Sequence, residues 1–250
     1  MTPRTCYSHL GHGPRTDPPR TPPSDPADLW TRSFAGLAFL MAVIAAALFG
    51  AAGTLRFWQG WAYLLVFLVA VLLITVHFLR HDPDLIRRRL AVGPVAEQRR
   101  TQQVVQSVTS VCFLALFVVS GLDRRFGWSS VPAPVALLGD ALVAVGFGIV
   151  FLVFRENSFT SAVVEVSAGQ RVISTGPYRV VRHPMYAGGL LLIAATPVAL
   201  GSLAALPVVL PLAAAIVTRL RDEERLLAAE LPGYREYCRQ VRYRLVPGLW

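Results

Sequence analysis

Four long stretches of the chain are almost entirely apolar, and polar segments separate them. The stretches cover residues 33–55, 58–79, 104–122 and 134–154. Their only charged or histidine side chains are His77 and Asp140. A helix needs about 20 residues to cross a hydrocarbon core of about 30 Å, and each stretch is close to that length. Because backbone polar groups in lipid must be paired within the segment, the pattern predicts four full transmembrane helices.

A fifth apolar stretch, residues 187–218, is interrupted by proline and glycine at Pro197, Gly201, Pro207 and Pro211. Two full spans and a turn would need roughly 34 residues or more. We therefore expect a short helical hairpin, at about 187–199 and 203–218, that barely reaches the far side. The polar blocks before and after it, residues 155–186 and 219–250, then return to the same membrane face.

The remaining polar segments complete the predicted organisation. Residues 1–32 are rich in Pro, Arg, Thr and Asp without an apolar period, which predicts a disordered cytoplasmic tail. The basic segment 80–103 is interpreted as an interfacial, lipid-facing loop. The segment from Asp222 to Tyr243 is amphipathic and predicts a helix along the membrane surface. The three parts are thus the tail, the four spans in residues 33–154, and residues 155–250.

Charge indicates which face is cytoplasmic. The formal net charge is +9, and all the arginines except Arg56, Arg124 and Arg125 fall on one side when the N-terminus is placed inside. The positive-inside rule favours that orientation, with both termini cytoplasmic. Because the arginines are concentrated on one membrane face, we expect them to interact with anionic membrane lipids and not with nucleic acid. Arginine without lysine and a compact length are typical of a bacterial inner (plasma) membrane protein.

Candidate chemistry lies in the two polar blocks. In residues 175–188, His183-Pro184 begins an apolar helix, whose N-terminus favours an anion. Tyr178 and Tyr186 supply aromatic faces that can hold a cationic sulfonium. In the second block, Arg219 and Glu223 lie at i, i+4 on one helix face, although alone they could form an ordinary solvated ion pair. The three cysteines and the other candidate ligands form no metal-binding spacing, so no metal is expected.

Taken together, the order and spacing of these motifs resemble the isoprenylcysteine carboxyl methyltransferase family, whose wider group includes membrane phospholipid methyltransferases. The matching features are Gly176-Pro177-Tyr178, then Arg182 to Gly188, a broken apolar hairpin, Glu223-Glu224 with Leu227, and Gly233 to Tyr237. The resemblance covers roughly residues 155–250. It implies an all-α integral membrane protein with a cofactor site for S-adenosylmethionine at the cytosolic face.

The resemblance also implies roles for particular residues. Arg219 would face the methyl-accepting carboxylate of an isoprenylcysteine-like or other lipophilic small acceptor. The residues that would bind S-adenosylmethionine are Gln170, Arg171, Val172, Ile173, Tyr178, His183, Pro184, Met185, Tyr186 and Glu223. A carboxylate acceptor is already ionised and needs no general base. If the acceptor were an amine or a thiol, His183 or Glu223 would be the candidate base.

Two other classes of function stay open at this point. Sterol reductases share a related C-terminal fold, so a membrane reductase that uses NADPH is one alternative, with Arg171, Arg179 and Arg182 available for a phosphate. The other is a non-enzymatic transport protein, which would require ionisable residues deep in the spans. His77 and Asp140 both lie near span ends, and this position favours the methyltransferase interpretation.

Overall fold

The computed structural model describes residues 26–90, 100–160 and 169–250, and the regular elements in these ranges are all helical. The helices in chain order are α1 Pro26–Ala52, α2 Trp58–His81, α3 Pro83–Leu90, α4 Arg100–Phe126, α5 Ala133–Glu156, α6 Pro184–Ala199, α7 Leu206–Glu230 and α8 Tyr234–Gln240. A short 3₁₀ turn at Gly176–Arg179 precedes α6. The all-α prediction is confirmed, whereas residues 1–25 of the predicted tail lie outside the described residues.

The four predicted membrane spans are confirmed as α1, α2, α4 and α5. Each is long and apolar enough to cross a bilayer. They pack around a core of large side chains that includes Leu48 of α1, Phe57 before α2, Phe117 of α4 and Val143 of α5. The chain is therefore an integral membrane protein whose helices bury one face against each other and expose many apolar side chains outward.

The tip of the α6–α7 hairpin reaches the far end of the bundle, in agreement with the prediction of a short hairpin that barely reaches the far side. In the turn between its helices, Ser202 Oγ donates to Asp123 Oδ2 at 2.6 Å, and the Leu203 amide donates to Ser129 Oγ at 2.9 Å. Asp123 lies near the end of α4, so the tip of the hairpin is level with the end of a full span. The helix bounds differ from those predicted, because α6 already begins at Pro184 and α7 continues to Glu230.

Two segments that were predicted to be irregular are helical instead. The predicted tail extends to residue 32, but α1 already begins at Pro26, because Leu29 packs against Leu85 in a buried cluster. Within the predicted lipid-facing loop, residues 83–90 form α3, whose Leu85 amide is capped by Asp82 Oδ1 at 3.0 Å. The interpretation as a loop is therefore wrong for α3, which is a helix that buries Leu85 and Ile86 in the protein and leaves Leu90 exposed.

The C-terminal region also differs from the prediction. A separate surface helix from Asp222 to Tyr243 is not observed, since α7 continues without interruption to Glu230 and the short α8 follows. The reason is packing: Leu220 and Leu227 are buried on the face of α7 that points into the protein. The apolar face of the hairpin thus continues into the polar block 219–250. Because this part of α7 is packed against the protein, its charged side chains are held in place.

Candidate functional site

A recess lies at one end of the bundle, in front of the N-terminus of α6. Helix α5 has 24 residues and the antiparallel α6 has 16. The contacts of Gly139 with Ala199 and of Gly146 with Leu192 fix the register of the two helices. Pro184 at the start of α6 therefore lies about level with Phe154, near the end of α5. The loop before α6 and the charged turn of α7 surround this point.

The recess is a narrow cleft that opens at the surface, and the volume open to the centre of a water-sized sphere is about 90 Å³. Residues from the loop before α6, from α6, from α7 and from α8 line it together: Asn157, Phe159, Thr160, Gln170, Arg171, Val172, Ile173, Tyr178, Arg182, His183, Pro184, Met185, Tyr186, Arg219, Glu223, Leu227, Leu231, Tyr234 and Tyr237.

One wall is built around Tyr178 in the 3₁₀ turn. Gly176 enters this turn with φ of 55°, a backbone conformation that favours glycine, and a Cβ there would require the Glu156 carboxylate to move. The Tyr178 hydroxyl accepts a hydrogen bond from Asn157 Nδ2 at 3.0 Å. The backbone carbonyl of Tyr178 accepts one from the Tyr237 hydroxyl at 2.8 Å. Burial, together with the nearby charge of Glu223, raises the pKa of Tyr178 to about 12. This ring is thus a fixed, neutral surface of the cleft.

The opposite wall combines one anion, one cation and a phenol. The Tyr186 hydroxyl donates to Glu223 Oε2, and the Arg219 guanidinium interacts with the same hydroxyl. Arg219 Nη1 also donates to Gln102 Oε1 at 3.4 Å. The fully buried Gln102 in turn donates from Nε2 to Asp222 at 2.7 Å. Helix α4 therefore helps to orient the charged turn of α7.

Behind the cleft, Glu224 gathers three basic side chains. Its Oε1 lies 2.9 Å from Arg182 Nε and 3.3 Å from His183 Nε2, and its Oε2 accepts from Arg244 Nε at 2.8 Å. Burial alone would raise the pKa of Glu224, but the hydrogen bonds from His183 and Arg244 and the charge of Arg182 lower it to about 2. An ionised Glu224 thus holds the start of α6 against α7 and the C-terminal tail.

The C-terminal tail closes the same corner through its backbone. The Arg182 amide donates to the Tyr243 carbonyl at 2.9 Å, and the His183 amide donates to the Arg244 carbonyl at 3.0 Å. His183 itself is the N-cap residue of α6, which begins at Pro184 as predicted. The two polar blocks that flank the hairpin are consequently one structural unit.

Two buried hydroxyl groups of the cleft have no nitrogen or oxygen partner in the described part of the chain. They are Thr160 Oγ1 and the Tyr234 hydroxyl. Buried polar groups are generally hydrogen-bonded, and leaving one unsatisfied costs about 1–3 kcal/mol. The cleft is thus suited to a ligand that carries hydroxyl or other polar groups, beside aromatic faces and the Glu223 carboxylate that suit a cationic group.

All eleven predicted site residues line this one cleft. The structure therefore brings together the segment 170–173, the motif around His183, and the pair Arg219 and Glu223. Their roles in binding a cofactor or an acceptor stay predictions.

Sequence reasoning missed several residues of the site. Gln102 was placed in a loop, although a glutamine at the start of an apolar span is a signal for a buried polar contact. Glu224 was noted only as part of the Glu223-Glu224 motif, without a role of its own. Arg89 was assigned to lipid, yet its guanidinium lies 5.0 Å from the centre of the Phe154 ring, and its charge acts on Tyr186 and Glu223.

Fold and cleft together define the class: a helical integral membrane protein with a polar cleft at one end of its bundle. Residues 135–231 match the family model described as Phospholipid methyltransferase. The matched segment contains every predicted site residue, and the predicted relation to membrane methyltransferases is confirmed.

A curated relative belongs to a different enzyme class. The chain is 31% identical over 128 residues to the Delta(14)-sterol reductase TM7SF2 of Mus musculus. The alignment covers 46% of this chain and 31% of the reductase. The chain thus spans about a third of the length of that relative, and this likeness extends the resemblance to the sterol reductases.

Proposed function

We propose that this protein is an S-adenosylmethionine-dependent membrane methyltransferase that acts on a lipophilic acceptor, with the carboxylate of an isoprenylcysteine-like molecule as the first candidate. The observation that carries the proposal is the convergence of all predicted cofactor residues on one cleft within the segment that matches phospholipid methyltransferases. Methyltransferases of this family generally use S-adenosylmethionine. Membrane lipids and a lipophilic or small acceptor are the expected partners.

The chemistry of the cleft fits this cofactor. Glu223 supplies an anion, and Tyr178, Tyr186 and Tyr237 supply aromatic faces, which together suit a sulfonium. The Thr160 hydroxyl, which has no hydrogen-bond partner within the described part of the chain, suits the polar groups of a nucleoside. S-adenosylmethionine supplies an activated methyl group when it is bound. The protein residues then have to hold this donor and the acceptor together and to exclude water.

Arg219 is the residue that we assign to the acceptor. A guanidinium binds a carboxylate bidentately, and Arg219 is held in place by Gln102 and lies beside Tyr186. Because an ionised carboxylate needs no base, positioning of the two reactants can supply most of the rate. A base would be required for an amine or a thiol. His183 is poorly placed for that task because Glu224 engages its Nε2 atom.

A second candidate, an NADPH-dependent reductase, is favoured by the likeness to the sterol reductase. Arg171 and Arg182 both line the cleft and could meet a phosphate. However, Arg182 is already paired with Glu224 at 2.9 Å. Fewer cations are therefore available for the phosphate groups of NADPH than the sequence alone predicts, and the methyltransferase is the better-supported function.

Ligand binding separates the two candidates. Isothermal titration of the detergent-purified chain with S-adenosylmethionine and, separately, with NADPH should give saturable heat for S-adenosylmethionine alone. Binding of NADPH alone would establish the reductase instead. A well-folded preparation that binds neither compound would contradict both assignments.

The division of labour between Glu223 and Arg219 gives a sharper test. Loss of a hydrogen bond to a charged group costs about 1.5–3 kcal/mol, so Glu223→Ala should weaken binding of S-adenosylmethionine by roughly ten- to a hundredfold. Arg219→Ala should leave that affinity within a factor of about three while lowering kcat/KM for a farnesylated cysteine by a similar ten- to hundredfold. Transfer of a radiolabelled methyl group measures the second effect.

Matched controls lie on the same helix. Glu230 and Arg225 are exposed on α7 and line no part of the cleft. Glu230→Ala and Arg225→Ala should therefore behave like wild type in both assays. If Arg219→Ala lost cofactor and acceptor equally, the assignment of Arg219 to the acceptor would be wrong.

A further inference from the structure

A second cavity lies on the outside of the bundle, in a groove between α2 and α5. We call it the α2–α5 groove. Its empty volume is about 1430 Å³, including the space that opens away from the protein. The residues that line it are Leu65, Val66, Val69, Ala70, Leu73, Ile74, Val76, His77, Arg80, His81, Ala144, Phe147, Gly148 and Phe151. None of them lines the cleft of the candidate active site.

The groove is apolar along most of its length. On α2, Leu65 is 61% exposed and Leu73 is 65% exposed. On α5, a Cβ added at Gly148 would meet no atom within 4 Å, so the floor of the groove is open there. From Leu65 to His77 the helix rises by about 18 Å. This shape suits an extended acyl chain that lies along α2.

One end of the groove is basic. Arg80 is exposed and forms no ion pair or hydrogen bond within the described part of the chain. The rings of His77 and His81 stack with centroids 4.4 Å apart, and His81 Nδ1 donates to the His77 carbonyl at 2.7 Å. The acidic side chains that follow Arg80 in sequence are engaged elsewhere, since Asp82 caps α3 and Asp84 pairs with Arg87. An uncompensated cation at the end of an apolar groove matches an anionic headgroup that is attached to a hydrocarbon chain.

We propose that the α2–α5 groove binds one anionic phospholipid, with an acyl chain along Leu65, Leu73 and Gly148 and its phosphate at Arg80 and His81. Arginine side chains near a membrane surface are attracted to anionic lipid headgroups. This ligand is distinct from the methyl acceptor, because the groove and the cleft share no lining residue. The side of the groove at Phe151 is closed by the buried Phe78, whose ring centroid lies 5.5 Å from that of Phe151 and 5.8 Å from that of Phe154.

A second copy of the chain fits the groove less well than a lipid does. Copies in one membrane share the same orientation, so packing of the groove against its counterpart would bring both Arg80 side chains to the same level. Like charges at close range repel each other in the low dielectric near the bilayer. A phosphate placed there neutralises the charge instead.

Native mass spectrometry of the detergent-purified full chain tests the proposal. The probes are phosphatidylglycerol and phosphatidylcholine with identical palmitoyl and oleoyl chains. The wild type should retain one phosphatidylglycerol with at least a fivefold preference over phosphatidylcholine. Arg80→Gln should remove the preference, and Gly148→Leu should lower retention of both lipids at least fivefold because it fills the floor of the groove.

Two variants serve as controls. Arg56→Gln removes an exposed arginine at the other end of α2, and Gly36→Leu adds the same side chain at an exposed glycine of α1 with no atom within 4 Å of its Cβ position. Both should retain lipid like wild type, and gel filtration should show every variant to be folded. Equal retention of the two lipids by the wild type would overturn the proposal. So would equal losses in the controls, or a dimer that forms without bound lipid.

Discussion

At the scale of single residues, Glu224 shows how one carboxylate organises the site without lining the cleft. It contacts Arg182 and His183 at the start of α6 and Arg244 of the C-terminal tail, which are two separate segments of the chain. Its side chain is only 14% exposed, so these contacts are poorly screened by solvent. Loss of one partner from a buried ion pair generally costs about 3–5 kcal/mol. Glu224 is therefore expected to be a main determinant of local stability.

The pKa of Glu224 gives this expectation a pH dependence. The carboxyl pKa is lowered from 4.5 to about 2 in the folded protein, so its contribution is present above the unfolded value and is lost as pH falls towards the folded value. Glu224→Gln should therefore lower the thermal midpoint of the purified protein at pH 7. The difference from wild type should shrink between about pH 4.5 and pH 2. Fluorescence-detected gel filtration after heating measures both midpoints.

The control is another glutamate of the C-terminal region. Glu236 pairs with Arg239 at 3.0 Å, but the two side chains are 59% and 80% exposed. Exposed pairs of this kind contribute about 0–1 kcal/mol, so Glu236→Gln should leave the midpoint nearly unchanged at every pH. A Glu224→Gln protein as stable as wild type at pH 7 would show that the three basic groups do not depend on this carboxylate.

At the scale of elements, the contact between α5 and α6 positions the N-terminus of α6 in the cleft. Small residues allow the two helices to approach closely. A Cβ added at Gly139 would lie 2.5 Å from the Ala199 amide nitrogen, a backbone atom that cannot yield by a change of rotamer. Any side chain at residue 139 must therefore push the helices apart and displace the start of α6.

A comparison of two alanine variants measures this effect. Gly139→Ala should destabilise the protein by about 1–3 kcal/mol, the usual cost of overpacking, and should also weaken cofactor binding. Gly148→Ala lies on the same helix with no atom within 4 Å of the added carbon. It should be neutral or stabilising by up to about 1 kcal/mol, because alanine favours a helix more than glycine does. If the two variants unfolded at the same thermal midpoint, the close packing of Gly139 against Ala199 would be contradicted.

The sequence predicted those helices whose formation depends only on their own residues. The four spans were predictable because hydropathy responds to one physical quantity, the transfer of a helix into lipid. The end of α7 was less predictable, because the helix continues to Glu230 through the burial of Leu220 and Leu227 against other parts of the protein. The helix α3 was missed for a related reason: Leu85 and Ile86 are buried by α1 and α2, and the partners of an eight-residue helix cannot be read from its own sequence.

The candidate site was predictable to the extent that motifs define it. The positions of Tyr178, His183 and Glu223 followed from the order of the motifs. The contributions of Gln102 and Arg89 did not follow, because both arrive from other helices through tertiary packing. Neighbouring glutamates present a further difficulty. Glu223 and Glu224 point about 100° apart on α7, and sequence alone does not decide which one lines the cleft and which one faces Arg182.

At the scale of the whole molecule, the two ends of the bundle differ in chemistry. One end holds the cleft, the basic groove end at Arg80 and the C-terminal tail. At the other end, Trp58 and Trp61 are 45% and 52% exposed, and Asp123 ties α4 to the tip of the hairpin. Tryptophan at a membrane boundary and arginine on the cytoplasmic side are the usual arrangement. The cleft should consequently face the cytoplasm, where a soluble cofactor is supplied.

The orientation can be tested with single cysteines in a background that lacks Cys6, Cys112 and Cys238. Leu55→Cys places a thiol at a residue that is 67% exposed in the turn before α2, and Arg242→Cys places one at an exposed residue of the C-terminal tail. In intact cells that express the protein, a membrane-impermeant maleimide should label Leu55→Cys alone. Arg242→Cys should react only after the membrane is permeabilised. The reverse pattern would place the cleft outside, where a methyl donor made in the cytoplasm could not reach Glu223, and the proposed function would then fail with the topology.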